Sequence, residues 1–156
     1  MRKKEYIALG GTFSSLHVGH QYMLEECVQI SIRSSRIILI GISSGPLITT
    51  KSYRVPSYSL RKRQVEKFLS CRSCQYKFIA IRSEFGPITT ERYDVDLLLA
   101  SPETVDMARK INVLRKRRGH KYIPLYIIDY VENFMGQLVS STFINCGVIN
   151  SWGLPI

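Results

Sequence analysis

Apolar positions along the chain fall into short continuous runs separated by stretches of helical spacing. The first run, Tyr6 to Leu9, stops at the pair Gly10-Gly11, the pattern of a buried strand ending in a turn. Met23, Leu24, Cys27 and Val28 then recur on one face of a helix. Arg36 to Ile42 is a second strand, continuously apolar as parallel sheets require, and Ser43 to Pro56, rich in Ser, Gly, Pro and Thr, predicts a loop. Ser57 or Ser59 caps a helix running to about Leu69, with Leu60, Gln64, Val65 and Phe68 at helical spacing. Its Arg61, Lys62, Arg63 and Lys67 read as a solvated face.

Tyr76 to Ile81 alternates into a third strand, Glu84 to Pro87 turns, and Val95 to Ala100 is a fourth strand. Ser101-Pro102-Glu103-Thr104 predicts a helix start, with a capping serine, proline at the first helical position and a carboxylate in the first turn. That helix runs to about Arg118 and closes at Gly119, with Met107, Ile111 and Leu114 on its buried side. Leu125 to Asp129 is a fifth buried strand, and Leu138 to Ile144 leads into a late helix headed by Ser140-Ser141-Thr142. Buried strands alternating with helices predict one α/β domain over residues 1–156: a Rossmann-like, doubly wound parallel five-stranded sheet. Its site belongs at the carboxyl edge, where the strand order reverses.

Composition narrows the class. A chain of 156 residues with 45% hydrophobic content is a folded globular domain with a core, not a disordered chain. No apolar run approaches the roughly 18 residues that span a bilayer. The run behind the basic Met1-Arg2-Lys3-Lys4 is too short for a secretory segment, which predicts a cytoplasmic protein with no membrane partner. The net charge of +10 favours anionic partners. The cationic run Arg115 to Arg118 lies in a last helical turn, where it complements the helix dipole, and no aromatic platform interleaves it; both points argue against nucleic acid. Cys27, Cys71, Cys74 and Cys146 read as reduced thiols, and Cys71-x-x-Cys74 lacks the second pair or histidine of a zinc site, so no metal ligands are assigned.

The chemistry concentrates where the first strand meets the first helix. The leading N–H groups of a helix have no partner within it, and the dipole adds positive potential there. Glycines let an anion approach the backbone, and His17 and His20 add donors, which together make a phosphate site.

Gly10-Gly11-Thr12-Phe13 followed by His17-x-Gly19-His20 resembles the signature of the HxGH nucleotidyltransferase superfamily of adenylyl- and cytidylyltransferases. Ser140-Ser141-Thr142 resembles its second signature. The likeness runs from Gly10 to about Gly147. In the turn Glu84 to Pro87 and the helix from Ser101 to Arg115 it is most similar to phosphopantetheine adenylyltransferases of the archaeal/eukaryotic type. The resemblance implies transfer of AMP from ATP to 4′-phosphopantetheine, giving dephospho-coenzyme A and pyrophosphate in coenzyme A biosynthesis. It implies that His17, His20 and Lys51 are catalytic. Gly10, Gly11, Thr12, Phe13 and Gly19 would form the nucleotide site, with Ser140, Ser141 and Thr142 on the β- and γ-phosphates. Asn112 and Arg115 would face the nucleotide or the acceptor phosphate, and Mg²⁺ would be held through ATP phosphates with little ligation by the protein. ATP and 4′-phosphopantetheine are the implied partners, and a homo-oligomer is left open.

Two departures stand out. Phe143, Ile144, Asn145 and Cys146 follow Ser140-Ser141-Thr142 where the family carries an arginine or lysine, leaving Arg115 or Lys51 to substitute. Ser14 occupies an acidic or polar position of the family. Two other readings stand beside the first: adenylyl or cytidylyl transfer to another phosphate ester (FMN, nicotinamide mononucleotide or glycerol 3-phosphate), and a non-catalytic nucleotide- or RNA-binding module.

Overall fold

The computed structural model describes residues 5–90, 92–129, 131–137 and 139–156. The basic residues Met1 to Lys4 and Leu138 lie outside them. Strands β1 (Tyr6–Gly11), β2 (Ile37–Ser43), β3 (Tyr76–Ile81), β4 (Val95–Ala100) and β5 (Leu125–Ile127) form one five-stranded sheet in the order β3-β2-β1-β4-β5. Every pairing is parallel. The helices are α1 (Val18–Ser34), the short α2 (Pro46–Thr49), α3 (Tyr58–Ser70), α4 (Val105–Arg117) and the short α5 (Ser141–Asn145). The chain steps outward from β1 through β2 to β3, then returns to the other side of β1 for β4 and β5. The reversal therefore falls between β1 and β4, and a crevice opens at their carboxyl ends.

The period of two along each strand divides the core between the two faces. Ile7 and Leu9 of β1 pack with Met23, Leu24, Cys27 and Val28 of α1 and with Val65 and Leu69 of α3. Ala8 faces the opposite layer, with Ala108 and Ile111 of α4 and Ile123. Helices thus cover both faces, as a doubly wound sheet demands. Gly41 marks a close approach: a Cβ there would sit 2.4 Å from Ile81 Cδ1. The isoleucine thereby lies against the sheet beside the crevice.

Several expectations are corrected. β5 is not a buried strand reaching Asp129; it is the last strand of the order, three residues long, and Tyr126 and Ile127 are exposed. A short edge strand of this kind limits the surface open to edge pairing. Ser43 belongs to β2, and the loop after it folds into α2. On α3, Leu60 is exposed while Arg61, expected on a solvated face, is fully buried. Helix α4 begins at Val105, because residues 102–104 form a turn. The Ser101 carbonyl accepts from the amides of Thr104 (3.0 Å) and Val105 (2.9 Å). Its buried face carries Ala108, Ile111, Asn112 and Arg115, with Leu114 only half-buried. Gly119 closes it with φ 77°.

Candidate active site

A cavity of about 720 Å³ opens at the switch point. Gly10, Gly11, Thr12, Phe13, His17, Gly19, His20, Lys51, Ser140, Ser141 and Thr142 all line it. Residues from three distant stretches of sequence therefore meet around one space.

The histidine pair is a constructed unit. His17 caps α1: its Nδ1 accepts the His20 backbone N–H at 3.3 Å. The rings stack, centroids 3.8 Å apart and planes 23° from parallel, and His20 also leans on Phe13 at 4.9 Å. His20 Nδ1 lies 2.9 Å from the Ser15 carbonyl oxygen. A carbonyl only accepts, so His20 carries its proton on Nδ1 and presents a bare Nε2. His17, accepting at Nδ1, carries its proton on Nε2. The neighbours thus hold opposite tautomers. Burial, and then the proximity of His20, lower the His17 pKa to about 3. Burial lowers that of His20 to about 4 against the opposing Ser15 hydrogen bond. Both rings are neutral at pH 7.

Few of the first amides of α1 remain open. The Val18 N–H donates to the Ser151 carbonyl at 3.0 Å, so the C-terminal segment occupies one of them. The His17 ring occupies that of His20. The Gly19 N–H makes no hydrogen bond among the described residues and is the donor left for an anion. A Cβ on Gly19 would stand 3.1 Å from the His17 ring, which explains glycine between the histidines. Just before the helix, Phe13 has φ 52°, a left-handed conformation costly for a bulky residue, and its ring is wholly buried.

The second signature approaches from the other side. Ser140 caps α5 by accepting from the Phe143 N–H at 3.4 Å, and Ser15 Oγ donates to Ser141 Oγ at 3.4 Å. Ser14, the variant family position, is 6% exposed and its hydroxyl is bonded to Tyr53 OH at 2.9 Å, so it is spent on the Lys51-bearing loop.

Charge at the cavity is unlike that of the whole chain. Among the described residues Lys51 is the one lysine or arginine lining it, alongside Glu84, Glu103 and Asp129. Burial raises the Glu103 carboxyl pKa, and Lys51 pulls it the other way. Among the described residues no group of three or more His, Cys, Asp or Glu is placed to hold a metal ion.

Asn112 and Arg115 do not line the cavity, which corrects the expectation that they face the nucleotide. Asn112 Nδ2 donates to the Ile123 carbonyl and its Oδ1 accepts the Ile123 N–H, both at 2.8 Å. Arg115 Nε donates to the Lys121 carbonyl at 2.9 Å, and its Nη1 to those of Ile88 (2.6 Å) and Thr90 (3.0 Å). Both side chains brace the approach to β5. Arg115 therefore does not replace the cation absent after Thr142; Lys51 remains. Sequence reasoning missed Arg61, Tyr53 and Glu103. Pro102-Glu103 at a strand-to-helix turn carried a signal for the last. Ser151 acts through its carbonyl and carried none.

A doubly wound parallel sheet with a cavity of about 720 Å³ at its switch point has the architecture of the α/β folds that bind nucleotides at that place. No family model matches the chain. It is 30% identical over 152 residues to the phosphopantetheine adenylyltransferase of Methanothermobacter thermautotrophicus, spanning 97% of this chain and 90% of that protein. To that of Methanosarcina mazei it is 31% identical over 150 residues, spanning 94% of each. A solved structure from Archaeoglobus fulgidus, described as a protein with unknown function, superposes with a TM-score of 0.70 at 28% identity, over 80% of this chain and 89% of that one. The chain belongs to the phosphopantetheine adenylyltransferase family.

Proposed function

We propose that this chain transfers AMP from ATP to 4′-phosphopantetheine, releasing pyrophosphate and forming dephospho-coenzyme A, a step of coenzyme A biosynthesis. A phosphate oxygen of the acceptor attacks the α-phosphorus of ATP; the bond from that phosphorus to the β-bridging oxygen breaks as pyrophosphate leaves. The observation that carries the reading is the stacked His17–His20 pair at the head of α1, in the same cavity as Ser140 to Thr142.

Positioning and charge stabilisation do the work, with no side-chain nucleophile. His17 Nε2–H, the Gly19 N–H and the Phe13 N–H donate to oxygens on the α-phosphorus, where charge develops. His20 joins them by gaining a proton at Nε2 as the polyanion arrives. Lys51 neutralises charge on the transferring group, and Thr12 holds the acceptor or α-phosphate. Ser140, Ser141 and Thr142 hold the β- and γ-phosphates, while Gly10 and Gly11 keep the turn low enough for the nucleotide. Mg²⁺, held through the ATP phosphates, would supply further neutralisation. Glu103 and Asp129, which line the cavity, would be the side chains to meet such a cation, with most of its ligands left to phosphate and water. Substrates this highly charged suit action in the cytoplasm.

The test is pyrophosphate release from MgATP with 4′-phosphopantetheine, run beside FMN, nicotinamide mononucleotide and glycerol 3-phosphate, with CTP as a second nucleotide. Turnover confined to ATP with 4′-phosphopantetheine is expected. Turnover with a different acceptor would displace the substrate assignment, and silence across the panel would leave a binding module.

A further inference from the structure

We infer that Arg61 is a positioning residue for the transfer: its guanidinium sets the Thr12–Phe13 peptide at the glycine turn and anchors the loop that carries Lys51. Its effect on rate rests on the adenylyl-transfer reading; its geometry stands on hydrogen bonds alone. Arg61 has the largest of the fully buried side chains, at 0% exposure. Among the described residues it forms no ion pair. Nη1 donates to the carbonyls of Thr12 (2.7 Å) and Ser43 (2.8 Å), and Nε to that of Pro56 (2.8 Å). Tyr58 lies alongside, its ring centroid 5.9 Å from the guanidinium carbon. Nη2 is buried and makes no hydrogen bond among the described residues.

The three carbonyls belong to the segments that shape the crevice. Thr12 follows β1, Ser43 ends β2, and Pro56 closes the loop that runs from β2 through Lys51 and Tyr53 to α3. An unpaired cation is costly to bury, and an apolar side chain would fill the same space without that cost. What the guanidinium does that no apolar group can is orient peptides. The described chain has no cis peptide, so the Thr12 carbonyl and the Phe13 N–H point in opposite directions. With that carbonyl turned onto Arg61, which does not line the cavity, the Phe13 N–H points away from Arg61, and Thr12 and Phe13 both line the cavity. Phe13 makes no hydrogen bond there among the described residues, and its φ of 52° is the strained geometry that such a grip sustains.

Two variants test this. Arg61→Lys keeps the charge and the reach but loses the fork; Arg61→Ala opens space that added guanidinium ion can refill. Folding is checked by circular dichroism. Pyrophosphate release and amide hydrogen exchange over residues 12–15 and 44–57 are then compared with the unsubstituted chain. Arg61→Lys is expected to lose about 10- to 100-fold in kcat, the scale of a small misplacement at the reacting atoms, with the KM for ATP little changed. Exchange should quicken in both segments, and guanidinium should restore part of the turnover of Arg61→Ala. A folded Arg61→Lys with undiminished kcat, or unchanged exchange in those segments, would overturn the inference. So would loss of folding in both variants, since Arg61 would then be a folding brace with no separable effect. An inert unsubstituted chain would instead defeat the adenylyl-transfer reading, and the exchange arm would still decide the geometry.

Discussion

The Ser15 hydroxyl donates to the Ser141 hydroxyl across 3.4 Å, joining a residue beside the histidine turn to one 126 positions away that lines the cavity. Ser15 sits in the turn whose carbonyl also holds His20. On the proposed assignment of the phosphates, the link couples the α-phosphate side of the site to the side of the β- and γ-phosphates. A hydrogen bond to a charged group contributes about 1.5–3 kcal/mol. Ser141→Ala is expected to raise the KM for ATP by about ten- to a hundredfold while changing global stability by less than about 1 kcal/mol. Steady-state kinetics beside a thermal melt check this, and a large melt shift with an unaltered KM would assign Ser141 to packing.

Among the described residues Lys51 lines the cavity beside the carboxylates Glu84, Glu103 and Asp129, and no lysine or arginine follows Thr142. Removing it would leave no lysine or arginine among the described residues that line the cavity. Lys51→Ala should lower kcat by about 10²–10³-fold, the range seen when one preorganised charge-stabilising donor is lost. Pyrophosphate-release rates at saturating MgATP measure it, and a loss confined to KM would make Lys51 a binding residue only.

Acid should destabilise the fold through the histidine pair. The native pKa values lie at about 3 for His17 and about 4 for His20, below the ordinary 6.5. The unfolded chain therefore takes up protons at these rings before the native one does. Stability contributed by their neutral forms is present above pH 6.5 and is lost as pH falls from there toward about 4 for His20 and about 3 for His17. Urea denaturation at pH 7.5 and pH 5 should show the drop, and replacing both histidines with asparagine should flatten it.

The tautomers carry a consequence for binding. His20 offers a bare Nε2 as long as its Nδ1 proton is held by Ser15, so a phosphate oxygen is met by a donor only after a proton is added. ATP binding should take up as many as one proton per chain near pH 7. Calorimetry of ATP binding in buffers of different ionisation enthalpy reads that number directly. A buffer-independent heat would mean that His20 makes no charged contact with the nucleotide.

Asn112 separates the expectation from sequence from the structure. Its amide satisfies both backbone groups of the buried Ile123, so Asn112→Ala orphans a donor and an acceptor. The expected cost is about 2–6 kcal/mol of stability, at roughly 1–3 kcal/mol for each of the two unsatisfied groups. The KM for ATP of the molecules that remain folded should stay unchanged. A raised KM with an unaltered melting temperature would return Asn112 to the nucleotide.

The order of elements, the parallel sheet and the residues at the head of α1 were all legible in the sequence, because each depends on local pattern. Continuous apolar runs mark strands covered on both faces, and glycine beside histidine marks a turn that meets an anion. What neighbours across the fold do was not written locally. Arg61, placed among cations on a helix and read as solvated, is buried because three carbonyls at strand and loop ends converge on it. Asn112 and Arg115 have the residue types of a phosphate site, but α4 turns them toward the backbone leading into β5. The protonation of the histidines is likewise tertiary: it follows from burial and from a carbonyl and an amide that only the folded turn brings to each ring. Sequence determined which groups were present and which segments carried them. Packing decided which became donors to a ligand and which were consumed inside the fold, since a hydrogen-bonding group satisfied by the protein is no longer open to substrate.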